Sequence, residues 1–412
     1  MVETESFELD NGLRLIVSPD TSTAMAAVNV LYNVGGRDED PELTGLAHLF
    51  EHLMFAGSAN IASFDGELQR AGGISNAWTS NDFTNFYDVL PAQNLSTALW
   101  LESDRMLSLS FKPEALEVQR NVVIEEFKQQ CLNRPYGDLS HHLNSLVYKE
   151  HPYRYPVIGK EPGHIERVKL DDIRKFFYAH YAPNNAVVAV TGNVEPAQVA
   201  EEFARWFGNI PRREVAPRTY KPEPLQTEAR IKRVSGNVPY TSVALAYPMS
   251  GYGTEQYRAL DLLTDILANG RSSRFYRDLL MATDLYVDAD SSILGTEEEG
   301  MFLVNMRLMR NDDATVEEAI RRVDEQLQMM IEQGPTEYEV ERAFNRMASN
   351  VKFSYLNYLS KAQALAMALM HNEDINAILP QYKELTPEVL RRAAREVIVD
   401  TRRNTLIYSP AD

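Results

Sequence analysis

Leu46-Ala47-His48-Leu49-Phe50-Glu51-His52-Leu53-Met54 places apolar residues at helical spacing and leaves three polar ones between them. Leu46, Leu49, Phe50, Leu53 and Met54 mark one buried face of a helix. Thr44 suits an N-cap and Gly57 a C-terminal stop, so a helix is predicted from about Leu43 to Phe55. Upstream, Ala26 to Asn33 reads as a strand, and Phe7 to Val17 alternates around an Asn11-Gly12 turn, the pattern of a hairpin. The same plan returns later in the chain. Ser242 to Tyr247 reads as a strand, Pro248 to Thr254 as a loop, and Gln256 to Ala268 as a helix. Gly270 follows Gly57 by 213 residues, close to half of the 412-residue chain. That offset points to an ancient duplication.

Further helical patterns cover Leu95 to Met106, Pro113 to Gln130 and Thr315 to Gln333. Strands and helices come in unequal runs, which predicts an α+β architecture with helices packed on one face of a sheet. The stretch Pro211 to Arg230 holds Pro211, Pro217, Pro222 and Pro224 among polar residues and reads as a linker. The expected division is 1–215, a linker at 216–230, and 231–412.

Composition narrows the function. A net charge of −18 argues against a nucleic-acid partner and against an anionic membrane surface, because both need clustered Lys and Arg. It suits neutral or basic peptides, and a solvated acidic shell explains it equally well. Cys131 is the one cysteine, so no intrachain disulfide forms and a reducing compartment is favoured. The start, Met-Val-Glu-Thr-Glu-Ser-Phe-Glu, has no basic segment followed by an apolar one. No run approaches ~18 apolar residues, so no transmembrane helix is expected. A cytoplasmic location follows as an expectation, with a trimmed periplasmic form as the other possibility.

The polar residues of the opening stretch carry the chemistry. His48 and His52 are four apart on a helix and share a face, so both can reach one Zn²⁺. Glu51 lies on the same side and can reach a water bound to that metal. A catalytic zinc needs a third protein ligand and one open position. The helix from Pro113 offers Glu125 and Glu126, which cannot both face one site, and spacing alone leaves the choice open. His141 and His142 are adjacent, point to different faces, and are assigned no role.

These residues resemble the pitrilysin-type metallopeptidases, the inverted-motif zinc proteases that include insulin-degrading enzyme and the mitochondrial processing peptidase. Thr44 through Ser58 looks like the family's signature helix. Gly72-Gly73-Ile74-Ser75-Asn76-Ala77-Trp78-Thr79-Ser80 looks like its substrate-edge strand, and Asn121-Val122-Val123-Ile124-Glu125-Glu126 like the segment holding the third ligand. His151-Pro152-Tyr153 and Tyr181-Ala182-Pro183-Asn184-Asn185-Ala186 match further segments. The resemblance implies two homologous halves, each an antiparallel-rich sheet covered by helices, facing each other across a cavity. It implies one zinc per chain, held by His48, His52 and Glu126, with Glu51 as general base. Asn76, Ala77 and Trp78 would present a strand edge to an extended peptide. The second half would be a degenerate copy, since His48, Glu51 and His52 fall on Asp261, Thr264 and Asp265.

Two departures stand out. Many relatives carry a glutamate seven residues before the third ligand, where this chain has Gln119. Active relatives also supply an arginine and a tyrosine from the second half. Tyr286 fits the tyrosine, but Leu279-Leu280-Met281-Ala282 lacks the arginine, and Arg274 and Arg277 have the wrong spacing. Such a chain would pair with a second copy, or with a different homologous chain that supplies Arg and Tyr. Glu102 is a candidate acceptor for the outer N–H of a ligand histidine. The expected activity is zinc-dependent endopeptidase cleavage of peptides or small unfolded proteins. A non-catalytic assembly subunit and a hydrolase of non-peptide amides are the competing readings.

Overall fold

The computed structural model describes residues 1–411. Among the described residues, eleven strands form two sheets. The first contains β1 (Glu5–Glu8), β2 (Arg14–Pro19), β3 (Met25–Tyr32), β4 (Ile74–Thr79), β5 (Thr84–Pro91) and β6 (Ala186–Gly192). Their order is β1-β2-β6-β3-β5-β4. The second contains β7 (Arg230–Gly236), β8 (Ser242–Met249), β9 (Tyr286–Leu294), β10 (Gly300–Leu308) and β11 (Asn404–Pro410), in the order β7-β11-β8-β10-β9. β2 pairs parallel with β6 and β7 parallel with β11, while every other neighbour pair is antiparallel. Leaving β1 aside, the two sheets therefore repeat one wiring, and the duplication read from the 213-residue offset is a duplication of topology.

The local expectations hold where sequence periodicity governs. β1 and β2 form the hairpin, with Gly12 at φ 86°, a conformation that glycine adopts without strain. The helix of the opening stretch, α1, runs Leu46–Phe55. The pattern from Pro113 stays α-helical to Phe127 and then widens into a π turn, Lys128–Leu132.

The expectation of helices on one sheet face needs correction. In β3, Ala26, Val28, Val30 and Tyr32 join the core beneath α1, while Ala27 and Leu31 point the other way. That second face is covered by the helix Tyr358–Met370, through Ala362, Leu365 and Ala366. A sheet buried on both faces reads as a continuous apolar run rather than an alternating one, as β3 and β6 do.

The two compact units consequently do not follow contiguous sequence halves. One comprises Met1–Phe127, Tyr155–Thr219 and Asn350–Ile378; the other Lys128–Arg154, Tyr220–Ser349 and Leu379–Asp412. In the second unit the helix Leu139–Val147 packs Leu143, Leu146 and Val147 against Ala244, Ala246 and Leu406 of the sheet. Each sequence half lends one helix to the other half's sheet. The linker has no regular structure but is tied down. Arg213 donates to the carbonyls of Tyr181, Met106 and Leu107 in the first unit, and Glu223 accepts the amides of Lys149, Glu150 and His151 in the second.

Among the described residues, no helix is long and apolar enough to cross a membrane.

Candidate metal centre

α1 buries Leu46, Ala47, Leu49, Phe50, Leu53 and Met54, and this anchors the helix in the first unit. Its entry turns on Gly45, at φ 89°, where a Cβ would lie 2.8 Å from Ile165 Cδ1 and 2.9 Å from the Ile158 carbonyl. Thr44, expected as the N-cap, does something else. Its hydroxyl accepts the Lys160 amide at 2.8 Å and lies 3.0 Å from His164 Nδ1. The open first-turn amides go to Glu39, whose carboxyl accepts from Gly45 N at 2.8 Å and Ala47 N at 2.7 Å. Burial pushes the Glu39 pKa up to about 8, against the pull of those two N–H bonds. No rule of adjacent capping finds a residue that reaches in from so far upstream.

On the remaining face of α1, His48 Nε2 and His52 Nε2 lie 3.3 Å apart. Glu126, from the last turn of the helix Pro113–Phe127, places Oε2 3.7 Å from the first nitrogen and 3.5 Å from the second. Glu125 is exposed, so the structure resolves the choice between the two glutamates in favour of Glu126. One ligand atom from each of His48, His52 and Glu126 lies within 4.8 Å of the others. Burial drives the His48 pKa down to about 4, Glu126 opposes that, and His52 adds to it. His48 is thus neutral at neutral pH. Glu126 is held below the usual carboxylate range, first by its bond to His52.

The donor set fits zinc. Ligands at ~2.0–2.1 Å around a tetrahedral ion stand ~3.3–3.4 Å from one another, close to the spacings seen here. The Nε2 atoms of His48 and His52, 3.3 Å apart, stand where one ion could take both. Two imidazoles and a carboxylate are the donor types zinc takes in catalytic sites.

Glu51 sits beside this group. Burial raises its pKa, and the hydroxyl of Thr79 at the end of β4 pulls it back by donating to Oε2 at 2.5 Å. Thr79 carried no assigned role in the sequence. The signal was present in the alternation of β4: Ser75, Ala77 and Thr79 share one face. Ala77 packs against the core beneath α1, whereas Trp78 joins the core on the opposite face and Asn76 is exposed. β4 is an edge strand, so its outer backbone groups have no strand partner. Gln119 is half-buried two turns before Glu126 on the same helix.

Two expected side chains lie elsewhere. Glu102 is fully buried and gives both carboxylate oxygens to Arg105, which lies over the rings of Phe55, Phe64 and Phe86. It therefore accepts nothing from a ligand histidine, and among the described residues the buried His48 Nδ1 meets no hydrogen-bond partner. Tyr286 is 6% exposed, and its hydroxyl donates to the Ala319 carbonyl at 2.8 Å. A hydroxyl bound in that way, inside the second unit, does not polarise a substrate carbonyl.

Comparison with known proteins follows the same lines. The insulinase (peptidase family M16) pattern matches residues 14–161, and the peptidase M16 inactive-domain pattern matches residues 167–347. A curated relative, zinc protease PqqE of Helicobacter pylori, is 30% identical over 98% of this chain and 93% of its own length.

The chain belongs to peptidase family M16.

A solved structure, that of a protease from Helicobacter pylori, superimposes with a TM-score of 0.92 at 30% identity and covers all of both chains. Pitrilysin shares the fold, with a TM-score of 0.83 at 16% identity over 99% of this chain and 45% of that one. The inactive-domain pattern falls on the part of this M16 chain where Asp261, Thr264 and Asp265 stand in the helix Glu255–Ala268. There Tyr382 donates to Asp261 at 2.8 Å, and Arg346 lies 3.9 Å from Asp265.

Proposed function

We propose that this chain is a zinc-dependent endopeptidase acting on peptides or small unfolded proteins. One observation carries the reading: His48, His52 and Glu126 converge on a space the size of a metal ion, with the Glu51 carboxylate on the same helix face. A zinc ion held by His48, His52 and Glu126 would supply Lewis acidity to the reaction. Glu51 takes a proton from the attacking water and returns it to the leaving amine nitrogen. Its Oε2 is engaged by Thr79, so Oε1 is the oxygen open to the proton. Ala77 sits on the face of β4 turned toward α1, and the open edge of that strand suits backbone pairing with an extended peptide. Pairing through backbone groups gives loose side-chain specificity.

The Tyr286 hydroxyl is engaged in the core, and no arginine stands at the family spacing. An Arg/Tyr pair acting on substrate would then come from another chain, a second copy or a homologue. The same observation favours, as the second reading, an assembly subunit that keeps the metal site. Glu51→Gln separates the two. Turnover of a fluorogenic peptide is expected to fall by about 10²–10⁴-fold while about one equivalent of zinc stays bound. Wild-type protein that holds zinc and cleaves nothing, alone or with a homologous partner, sinks the endopeptidase reading.

A further inference from the structure

We infer that Thr79 is a positioning residue for the general base, an inference that rests on the endopeptidase reading. A glutamate has several rotatable bonds, and an unheld carboxylate at a half-buried site samples orientations that do not face the attacking water. Among the described residues, the one side-chain hydrogen bond to the Glu51 carboxylate comes from Thr79 Oγ1, at 2.5 Å. It engages Oε2 and leaves Oε1 for proton transfer.

The hydroxyl that makes this bond stands on a stiff platform. Thr79 closes β4 opposite Thr84 of β5. Thr84 in turn donates to the Val34 carbonyl at 2.9 Å. The connecting turn is locked as well. Ser80 N donates to the Phe83 carbonyl at 2.8 Å, and the Ser80 hydroxyl accepts the amides of Asp82 and Phe83. The base is thus referenced to the frame of the sheet rather than to α1 alone. Because β4 is the edge strand, a peptide paired along it and the carboxylate that serves its cleavage share one register. A small error in the position of a reacting group costs far more in rate than in binding, so the loss of this bond belongs in kcat.

The test compares Thr79→Val, which keeps the shape and removes the hydroxyl, with Thr79→Ser, which keeps the hydroxyl. Zinc affinity is measured by competition with a chromophoric chelator. Thr79→Val should lower kcat about 10- to 100-fold, with KM and zinc affinity both within about twofold. Thr79→Ser should recover most of the rate. Crystals of Thr79→Val should show the Glu51 carboxylate turned from its wild-type position. Wild-type kcat in Thr79→Val, equal losses in the valine and serine variants, or a loss lodged in KM or in zinc affinity would overturn the role. Glu51→Gln, run beside them, keeps the two ideas apart. If that variant alone loses turnover, the endopeptidase reading stands and Thr79 is cleared. If it turns over normally, Glu51 is not the base of that cleavage, and the positioning role of Thr79 falls with it, whereas cleavage absent from the wild type is what ends the endopeptidase reading.

Discussion

The helices Leu46–Phe55 and Glu255–Ala268 follow corresponding strands, β3 and β8, yet they solve opposite electrostatic problems. The first gathers two imidazoles and a carboxylate, donor types that one cation can join. The second carries two aspartates whose pKa values burial raises. It meets them with groups from its own unit: the Tyr382 hydroxyl on Asp261, and Arg346 and Asn269 on Asp265. One copy is built to be completed by a ligand and the other is complete in itself. Duplication kept the scaffold, and a few substitutions decided which copy carries side chains that could hold a metal.

The sharpest way to break this comparison is to remove a ligand. His52→Ala should abolish stoichiometric zinc binding, while Asp265→Ala should leave the zinc content of the protein unchanged. Zinc lost equally in both variants would mean that the second helix also serves a metal. The next effect lies at the helix entries. α1 is capped by the titratable Glu39, and the second helix by the Thr254 hydroxyl, which accepts the Tyr257 amide at 3.1 Å. The folded pKa of Glu39 is raised, to about 8 from 4.5. Its contribution is therefore full below pH 4.5 and is lost as pH rises toward about 8. Across that window stability should fall with a slope of up to about 1.4 kcal/mol per pH unit from this group. Glu39→Gln should remove that slope in urea titrations taken at several pH values. Thr254→Ala should cost about 1 kcal/mol with no pH dependence of its own. The smallest effect is expected from Arg346→Met. The partly exposed contact of Arg346 with Asp265 should be worth under about 1 kcal/mol by thermal denaturation.

What the sequence revealed and what it hid divide along the same physical line. His48, Glu51 and His52 were legible because helical spacing is a local rule that fixes their common face. The β1–β2 hairpin and the repeat of strand, loop and helix were legible for the same reason. Glu126 was not separable from Glu125 by spacing, and only the packing of a distant helix resolved it. Glu102 misled as an acceptor for a ligand histidine because its carboxylate is taken by Arg105, itself set over three phenylalanine rings. Tyr286 misled because matching a position says nothing of where a hydroxyl finds its acceptor. Thr79 was within reach of the period-2 rule, but its partner on α1 lies 28 residues earlier. The two lent helices carried no signal at all, since an amphipathic stripe does not name the sheet it will cover.

Those lent helices have a practical consequence. Residues 128–154 and 350–378 each fold into the unit built mainly from the opposite end of the chain. A cut within the proline-rich segment at 211–229 would release two polypeptides that remain interlocked, each still donating a helix to the other's sheet. A gene truncated there would not yield a portable catalytic module. It would yield a sheet with Leu31, Ala189 and their neighbours stripped of cover, prone to clump. The exchanged helices make the two sequence halves a single folding unit.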